Sequence, residues 1–147
     1  MASVVQGVLS VAGRAALSTI FILAAVGNKI PHFSAVSEVM AAKGIPAPGF
    51  MLAGAIVFLI VGGLSVVVGY KARIGAFLLL VFLALASYYF HDFWRLNDPK
   101  EAQTIQFMKN LSMIGAMLFI IANGPGAWSL DARRATPRVA GETVAPA

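Results

Sequence analysis

Four long hydrophobic runs, separated by short polar segments, dominate the chain. They cover about residues 8–30, 50–70, 74–93 and 105–123. A helix needs about 20 mostly apolar residues to cross a bilayer, and each run is close to that length. The pattern predicts an all-α integral membrane protein whose fold is a four-transmembrane-helix bundle.

A shorter helix is predicted between spans 1 and 2. Ser34 is a suitable N-cap and Gly44 a suitable C-terminal stop. Between them, Val36, Val39 and Met40 share one side at helical spacing. An amphipathic helix of this length is typical of the membrane surface, so we expect a short interfacial helix here.

The connections indicate one membrane domain followed by a tail. The five residues "GYKAR" between spans 2 and 3 permit only a tight antiparallel hairpin. We assign residues 1–131 to the membrane domain. Residues 132–147, "ARRATPRVAGETVAPA", are mostly small or polar and include two prolines. Such a composition cannot bury a core, so a disordered tail is predicted.

Composition agrees with a membrane protein and excludes several function classes. The chain is 59% hydrophobic and 12% charged, whereas soluble domains are about 25% charged. The net charge is +5, but Lys and Arg lie in short segments between apolar runs. We therefore expect no nucleic-acid partner. The chain has no cysteine, which excludes thiolate catalysis, iron–sulfur ligation and covalent c-type haem.

The distribution of charge predicts an orientation. Four spans place both termini on one side, together with the "GYKAR" loop. That side carries six of the eleven Lys and Arg residues, and the other side holds four of the six acidic ones. Positively charged loops stay in the cytoplasm, so both termini are predicted to be cytoplasmic. Tyr70 and Trp128 would mark the inner interface and Trp94 the outer one.

Arg14 requires a separate explanation because it lies inside the first hydrophobic run. A span that began near Val4 would place Arg14 near mid-membrane, and the other spans hold no acidic partner for it. A start nearer Val11 would let its side chain reach the cytoplasmic headgroups. We favour this second position, in which Arg14 anchors the protein to the membrane.

Small residues predict where helices pack closely. Ser65 and Gly69 form a small-xxx-small pair below Gly62 and Gly63 in span 2, and Ala12 and Ala16 form another in span 1. Such pairs let helix backbones approach one another in lipid. The alternative, that glycine is simply common in membrane helices, stays open.

Polar residues collect at the ends of spans 1, 3 and 4, which antiparallel alternation brings to one membrane face. We call this set the outer rim: Lys29, His91, Asp92, Lys109 and Asn110. A lysine one turn inside a span costs about 1–3 kcal/mol unless it snorkels or is paired, and Asp92 is the natural partner for either lysine. The set predicts a binding pocket; simple interfacial anchoring is the alternative.

His91 is the member of the outer rim with the most chemical range. Tyr88, His91, Asp92 and Arg95 follow helical spacing and so lie on one face of span 3. Imidazole exchanges protons near neutral pH. We expect no metal site: a haem held by His32 and His91 is disfavoured because both residues lie near the rim. No other intrinsic cofactor is expected.

Five segments of the chain resemble a known family. They are "GRAALSTIFILAAVGNKIPHF", "KGIPAP", "VGGLSVVVGYKAR", "FHDFW" and "FMKNLSMIGAMLFIIANGPGAWSLD", which together extend from Gly13 to Asp131. In this order they resemble the DoxX family of small four-span bacterial membrane proteins. The resemblance implies a bundle in the bacterial inner membrane that works with membrane oxidoreductases and quinone. Many members have a Glu where this chain has Leu59.

Two functions follow as expectations. The first is an accessory or quinone-interacting subunit of a membrane oxidoreductase system, with the quinone head bound by the outer rim. The second is a non-catalytic membrane scaffold or assembly factor. Both imply contact with membrane lipid and with another membrane or membrane-associated protein. The sequence leaves open whether the chain is an enzyme, what its substrate is and what its oligomeric state is.

Overall fold

The computed structural model describes residues 3–91 and 100–135, and the part of the chain that it describes is helical and contains no strand. The helices are α1 (Val4–Leu23), continued by a π-helical segment (Ala24–Lys29), α2 (Phe33–Ala42), α3 (Pro48–Val68), α4 (Ala72–Phe90), α5 (Lys100–Asn123) and α6 (Leu130–Ala135). Four of them, α1 with its π-helical continuation, α3, α4 and α5, are long and apolar enough to cross a membrane. The predicted four-helix fold with a short helix between spans 1 and 2 is confirmed.

The first helix begins at Val4 because Ser3 caps it. The Ser3 hydroxyl accepts a hydrogen bond from the Gln6 backbone at 3.1 Å, and the Gln6 side chain accepts one from the Ser3 backbone at 3.2 Å. This reciprocal capping box satisfies two amide groups that a helix start leaves free. The helix therefore begins before the predicted start of span 1.

The spanning helices pack in the order α1, α3, α4, α5, and α2 packs on α3. Side chains of all four spans meet in one core cluster. Its members include Phe21, Leu59, Leu79 and Met117, each at most 2% exposed. Leu59 therefore lies in the core. A second cluster, formed by Met40, Ile45 and Leu52, packs α2 against the ends of α3 and α4.

Two adjacent glycines bring α3 close to two neighbours at once. A Cβ on Gly62 would lie 2.8 Å from Leu79 Cγ and 2.9 Å from the Gly75 carbonyl oxygen on α4. A Cβ on Gly63 would lie 2.9 Å from Ile22 Cγ1 on α1. The close packing predicted from these small residues is present, since only glycine leaves room for it.

The packing face predicted for α1 is wrong. Ala12 and Ala16 are exposed, whereas the buried positions of α1 are Gly7, Arg14, Ser18 and Phe21. Those four positions recur at intervals of seven, four and three residues, which places them on one helix face. The neighbours of α1, rather than its smallest residues, decide which face is inside.

The contact at Gly62 makes a testable prediction. Gly62→Ala adds a methyl group against the backbone of α4, so it forces the two helices apart and should destabilise the protein by about 1–3 kcal/mol. Gly115→Ala is the matched control, because nothing lies within 4 Å of a Cβ at Gly115. Thermal unfolding in detergent should show a lower Tm for Gly62→Ala only. An equal response from the two variants would contradict the close approach of α3 and α4.

Candidate functional site

The outer-rim residues that the structure describes lie in separate environments. His91 Nδ1 lies 2.9 Å from Gln103 Oε1, which joins the end of α4 to α5. Asn110 donates from Nδ2 to the Ser87 hydroxyl at 3.1 Å, and this bond between α4 and α5 is buried. Both contacts pair polar groups between the same two helices.

The two lysines of the outer rim differ in exposure. Lys29 is half-buried, and its Nζ lies 5.5 Å from the centre of the Phe82 ring on α4. Lys109 is exposed, and its Nζ donates to the Gln106 side chain on the same helix. Neighbouring helical residues point about 100° apart. Because Asn110 faces α4, Lys109 is turned toward the outside of the bundle.

Two of the residues predicted to act here, Asp92 and Trp94, lie outside the described residues. The pairing of Asp92 with Lys29 or Lys109 therefore stays a prediction. Among the described residues, no group of three or more His, Asp or Glu side chains is placed to hold a metal ion.

Lys29 ends the π-helical continuation of α1. In this segment the backbone bonds span five residues, as in the 2.9 Å bond from the Ile30 amide to the Ala25 carbonyl. Short π-helical segments are rare and are frequent at functional sites. The segment also carries Asn28, whose carbonyl oxygen lies 3.1 Å from His32 Nδ1.

The opposite end of the bundle holds a second polar site, which sequence reasoning missed. It is formed by the C-terminal segment, residues 124–135, which folds back over α1 and over the turn between α3 and α4. The sequence "GPGAWSLD" offered the signal, since Gly, Pro, Ser and Asp together favour turns and caps. It did not show what those turns would bind.

Arg14 connects α1 to the C-terminal segment. Its side chain is 5% exposed, and its Nη2 donates to the Trp128 carbonyl at 2.9 Å. Its Nε donates to the Ser10 carbonyl at 3.1 Å, and Nη1 packs against Gly69 at the end of α3. Arg14 is therefore level with the α3–α4 turn, and its guanidinium points into the protein. Its predicted anchoring role stays a prediction.

Further contacts extend the docking of the C-terminal segment along α1. The Ser10 hydroxyl donates to the Pro125 carbonyl at 3.1 Å. The Trp128 indole packs so closely on Gly7 that a Cβ there would overlap the ring. Trp128 is still 50% exposed, so it contacts α1 and also presents a surface outward. Its predicted position at the inner interface, like that of Tyr70, stays a prediction.

Asp131 caps α4 from the far end of the chain. Its two carboxylate oxygens accept hydrogen bonds from the Lys71 and Ala72 amides at 2.8 and 2.9 Å. Its own amide donates to the Gly69 carbonyl at 2.8 Å. A carboxylate satisfies free amides at a helix start and interacts favourably with the helix dipole. The cap thus joins α6 to the α3–α4 turn.

The cap leads to a prediction. Asp131→Ala leaves two amides at the start of α4 without their acceptor, so it should destabilise the protein by about 0.5–2 kcal/mol. It should also release α6. Because the chain has no native cysteine, a Leu130→Cys label can report on α6, and maleimide should react faster in the Asp131→Ala background. Arg133→Ala, an exposed change on the same helix, is the control. Equal reaction rates in both backgrounds would contradict the cap.

Comparison with known proteins identifies relatives over most of the chain. The chain is 34% identical over 118 residues to Inner membrane protein YqjF of Escherichia coli (strain K12), covering 80% of this chain and 85% of that protein. It is 32% identical over 127 residues to Inner membrane protein YphA of the same strain, covering 86% and 90%. These relatives and the four candidate spans support a multi-pass bacterial inner-membrane protein.

A eukaryotic similarity covers a smaller part. The chain is 31% identical over 72 residues to a Surfeit locus protein 4 homolog of Schizosaccharomyces pombe, covering 47% of this chain and 24% of that protein. No solved structure matches the chain significantly.

The predicted membership of the DoxX family is wrong. The family model that matches is that of the SURF4 family, over residues 49–136, and the relatives above agree with it. The motifs that suggested DoxX are short and rich in Gly, Ala and aromatic residues, which occur at packing faces and interfaces of many membrane helices. The chain is an integral membrane protein that belongs to the SURF4 family.

Proposed function

We propose that the protein is a non-catalytic membrane scaffold that binds another membrane protein through its spans. The observation that carries the proposal is the surroundings of its glycines. Nothing lies within 4 Å of a Cβ built on Gly13, Gly27, Gly54 or Gly115. Gly62 and Gly63, by contrast, pack closely against α4 and α1 inside the bundle.

Glycine on the outside of a membrane helix favours contact with another helix. Lipid supplies no hydrophobic drive for association, so partners bind where small residues let backbones approach. The outward face of α5 offers such a place, since Gly115 lies beside the exposed Ser112 and Leu118. The Ser112 hydroxyl donates to the Met108 carbonyl at 3.0 Å, so its hydrogen is already paired within α5 and does not require a partner from outside.

The use of polar groups at the outer rim agrees with a structural role. The His91–Gln103 and Ser87–Asn110 contacts both join α4 to α5. Hydrogen bonds between membrane helices contribute about 0.6 kcal/mol on average. They hold α5 through α4, its main packing partner, and leave the Gly115 face available.

The scaffold proposal predicts a crosslinking result in native membranes. A photo-crosslinking residue at Gly115 should capture one other membrane protein, because the partner's backbone would approach there. The same residue at Leu85, an exposed position on α4, is the control and should capture little. Gly115→Leu should reduce partner recovery without lowering the Tm. Recovery of only self-contacts, or of nothing, at position 115 would contradict the proposal.

A second candidate function is an accessory, quinone-interacting subunit of a membrane oxidoreductase system. The observation in its favour is Lys29, a half-buried cation beside the Phe82 ring at the end of a π-helical segment. An ammonium group can donate hydrogen bonds to a quinone carbonyl. An aromatic ring next to it provides a surface for stacking.

The quinone candidate has its own test. Adding ubiquinone to the purified protein should raise its Tm, and Lys29→Met should remove most of that increase. Lys109→Met is the matched control, because Lys109 is also a lysine of the outer rim but its side chain is exposed. No copurified quinone and no change in Tm with ubiquinone would count against quinone binding, while leaving the crosslinking result unaffected.

For the orientation, we propose that both termini are cytoplasmic. The exposed cations Lys71, Arg73, Arg133 and Arg134 all lie at the end of the bundle where the described chain begins and ends. Their position agrees with the excess of positive charge on the cytoplasmic side of membrane proteins.

A further inference from the structure

A groove runs along the outside of the bundle between α3 and α4, in the half nearer the termini. Its volume is about 440 Å³, within the range of about 300–1,000 Å³ that is usual for ligand sites. Its walls are apolar side chains of the two helices, and one residue of α6 lies at its end. These residues are Val61, Leu64, Val68, Ile74, Leu78 and Leu130.

Two small residues explain why the groove is open and apolar. Gly75 contributes no side chain to the floor between α3 and α4. Ser65 also lines the groove, but its hydroxyl donates to the Tyr70 carbonyl at 2.6 Å and approaches the Lys71 carbonyl at 3.2 Å. The serine is thus satisfied within the turn, and the groove suits a hydrocarbon chain.

The mouth of the groove is cationic. Tyr70 and Lys71 line it at the α3–α4 turn. The Lys71 ammonium lies 5.8 Å from the centre of the Tyr70 ring, and the Arg134 guanidinium carbon lies 4.6 Å from the same centre. The carboxylate of Asp131 is bonded to the Lys71 and Ala72 amides. These hydrogen bonds leave the Asp131 charge in place, so the mouth carries two cations and one anion. Its net positive charge favours a further anion placed near both cations.

We propose that this groove binds one phospholipid with an anionic headgroup. An acyl chain lies along the walls between α3 and α4, and the phosphate and the headgroup charge lie by Lys71 and Arg134. The groove lies between two spans and opens on the outer surface of the bundle, where membrane lipid would contact it. Basic residues at the membrane surface attract anionic lipids, and guanidinium pairs well with phosphate.

The site couples the lipid to the C-terminal segment. Leu130 lines the groove, Arg134 lies at the ring of Tyr70, which also lines it, and both Leu130 and Arg134 belong to α6. A lipid that contacts both residues binds more tightly when α6 is docked. By reciprocity, the lipid stabilises the docked α6. The bound lipid therefore acts together with the Asp131 cap.

The test is a titration of the purified full chain in neutral detergent with phosphatidylglycerol and with phosphatidylcholine, followed by Tm and by native mass spectrometry. Phosphatidylglycerol should bind preferentially. Lys71→Gln and Arg134→Gln should each reduce that preference by about 5-fold. As controls, Arg73→Gln and Arg133→Gln, each made singly, remove the same charge at the same end and should retain the preference. An equal loss in the controls would overturn the site in favour of general surface charge.

A second arm tests the groove itself. Val61→Trp fills its wall at a position that is 51% exposed, so the bundle should keep its lipid-free Tm while phosphatidylglycerol binding falls. Unchanged phosphatidylglycerol binding in this variant would overturn the placement of the acyl chain in the groove.

Glycerol phosphate, which has the phosphate without the chains, should not protect the protein. If glycerol phosphate protected the protein as well as phosphatidylglycerol does, the site would bind phosphate alone, and this would overturn the lipid proposal. A disulfide-linked dimer formed through Leu64→Cys in native membranes would show that a second copy of the chain fills the groove, and this would also overturn the proposal.

Discussion

Buried backbone polar groups must find hydrogen-bond partners inside the protein, because an unpaired buried group costs free energy. This constraint explains the arrangement at the end of the bundle near the termini. The α3–α4 turn leaves the Gly69 carbonyl and the amides of Lys71 and Ala72 to be satisfied, and Asp131 bonds to all three. Arg14 satisfies the Trp128 carbonyl of the segment that brings Asp131 into place. The C-terminal segment therefore completes the spans and is not an appendage to them.

The placement of Arg14 follows from the same constraint. A guanidinium has five donors, and burying it is costly unless acceptors surround it. Backbone carbonyls of α1 and of the C-terminal segment accept from Nε and Nη2, whereas Nη1 is buried without a hydrogen-bond partner among the described residues. One side chain thus joins the first helix of the chain to its last described loop.

Close packing is the second requirement, and it divides the glycines into two classes. Those at Gly62, Gly63 and Gly75 have neighbours within van der Waals distance, so they are used to assemble this bundle. Those at Gly13, Gly27, Gly54 and Gly115 have none. Membrane helices associate through small residues. These four positions therefore leave room for a close approach from outside the bundle.

At the outer rim, helical geometry separated residues that the sequence placed together. Lys109 and Asn110 are adjacent in the chain, yet Asn110 is buried against Ser87 and Lys109 is exposed. Adjacent residues of a helix point about 100° apart, so Asn110 can face α4 while Lys109 faces outward. The described members of the outer rim therefore pair with residues outside the set. His91 contacts Gln103, Asn110 contacts Ser87 and Lys109 contacts Gln106, while Lys29 lies beside the Phe82 ring.

The sequence by itself determined the four spans and the short helix between the first two, because the length of an apolar run is a local property. The predicted N-cap was wrong, since α2 begins at Phe33 and Ser34 lies inside it. The sequence also identified Gly62 and Gly63 as packing residues. It did not determine the face of α1, the partner of Arg14 or the cap supplied by Asp131. Each of these depends on groups more than 40 residues apart in the chain meeting in space, and local patterns carry no information about such contacts. The resemblance to the DoxX family was wrong for a related reason. Residues that favour helix packing or membrane interfaces recur in the membrane helices of many families. Only the tertiary structure decided which of the described polar groups pair within the bundle and which stay exposed, because pairing depends on contacts between distant parts of the chain.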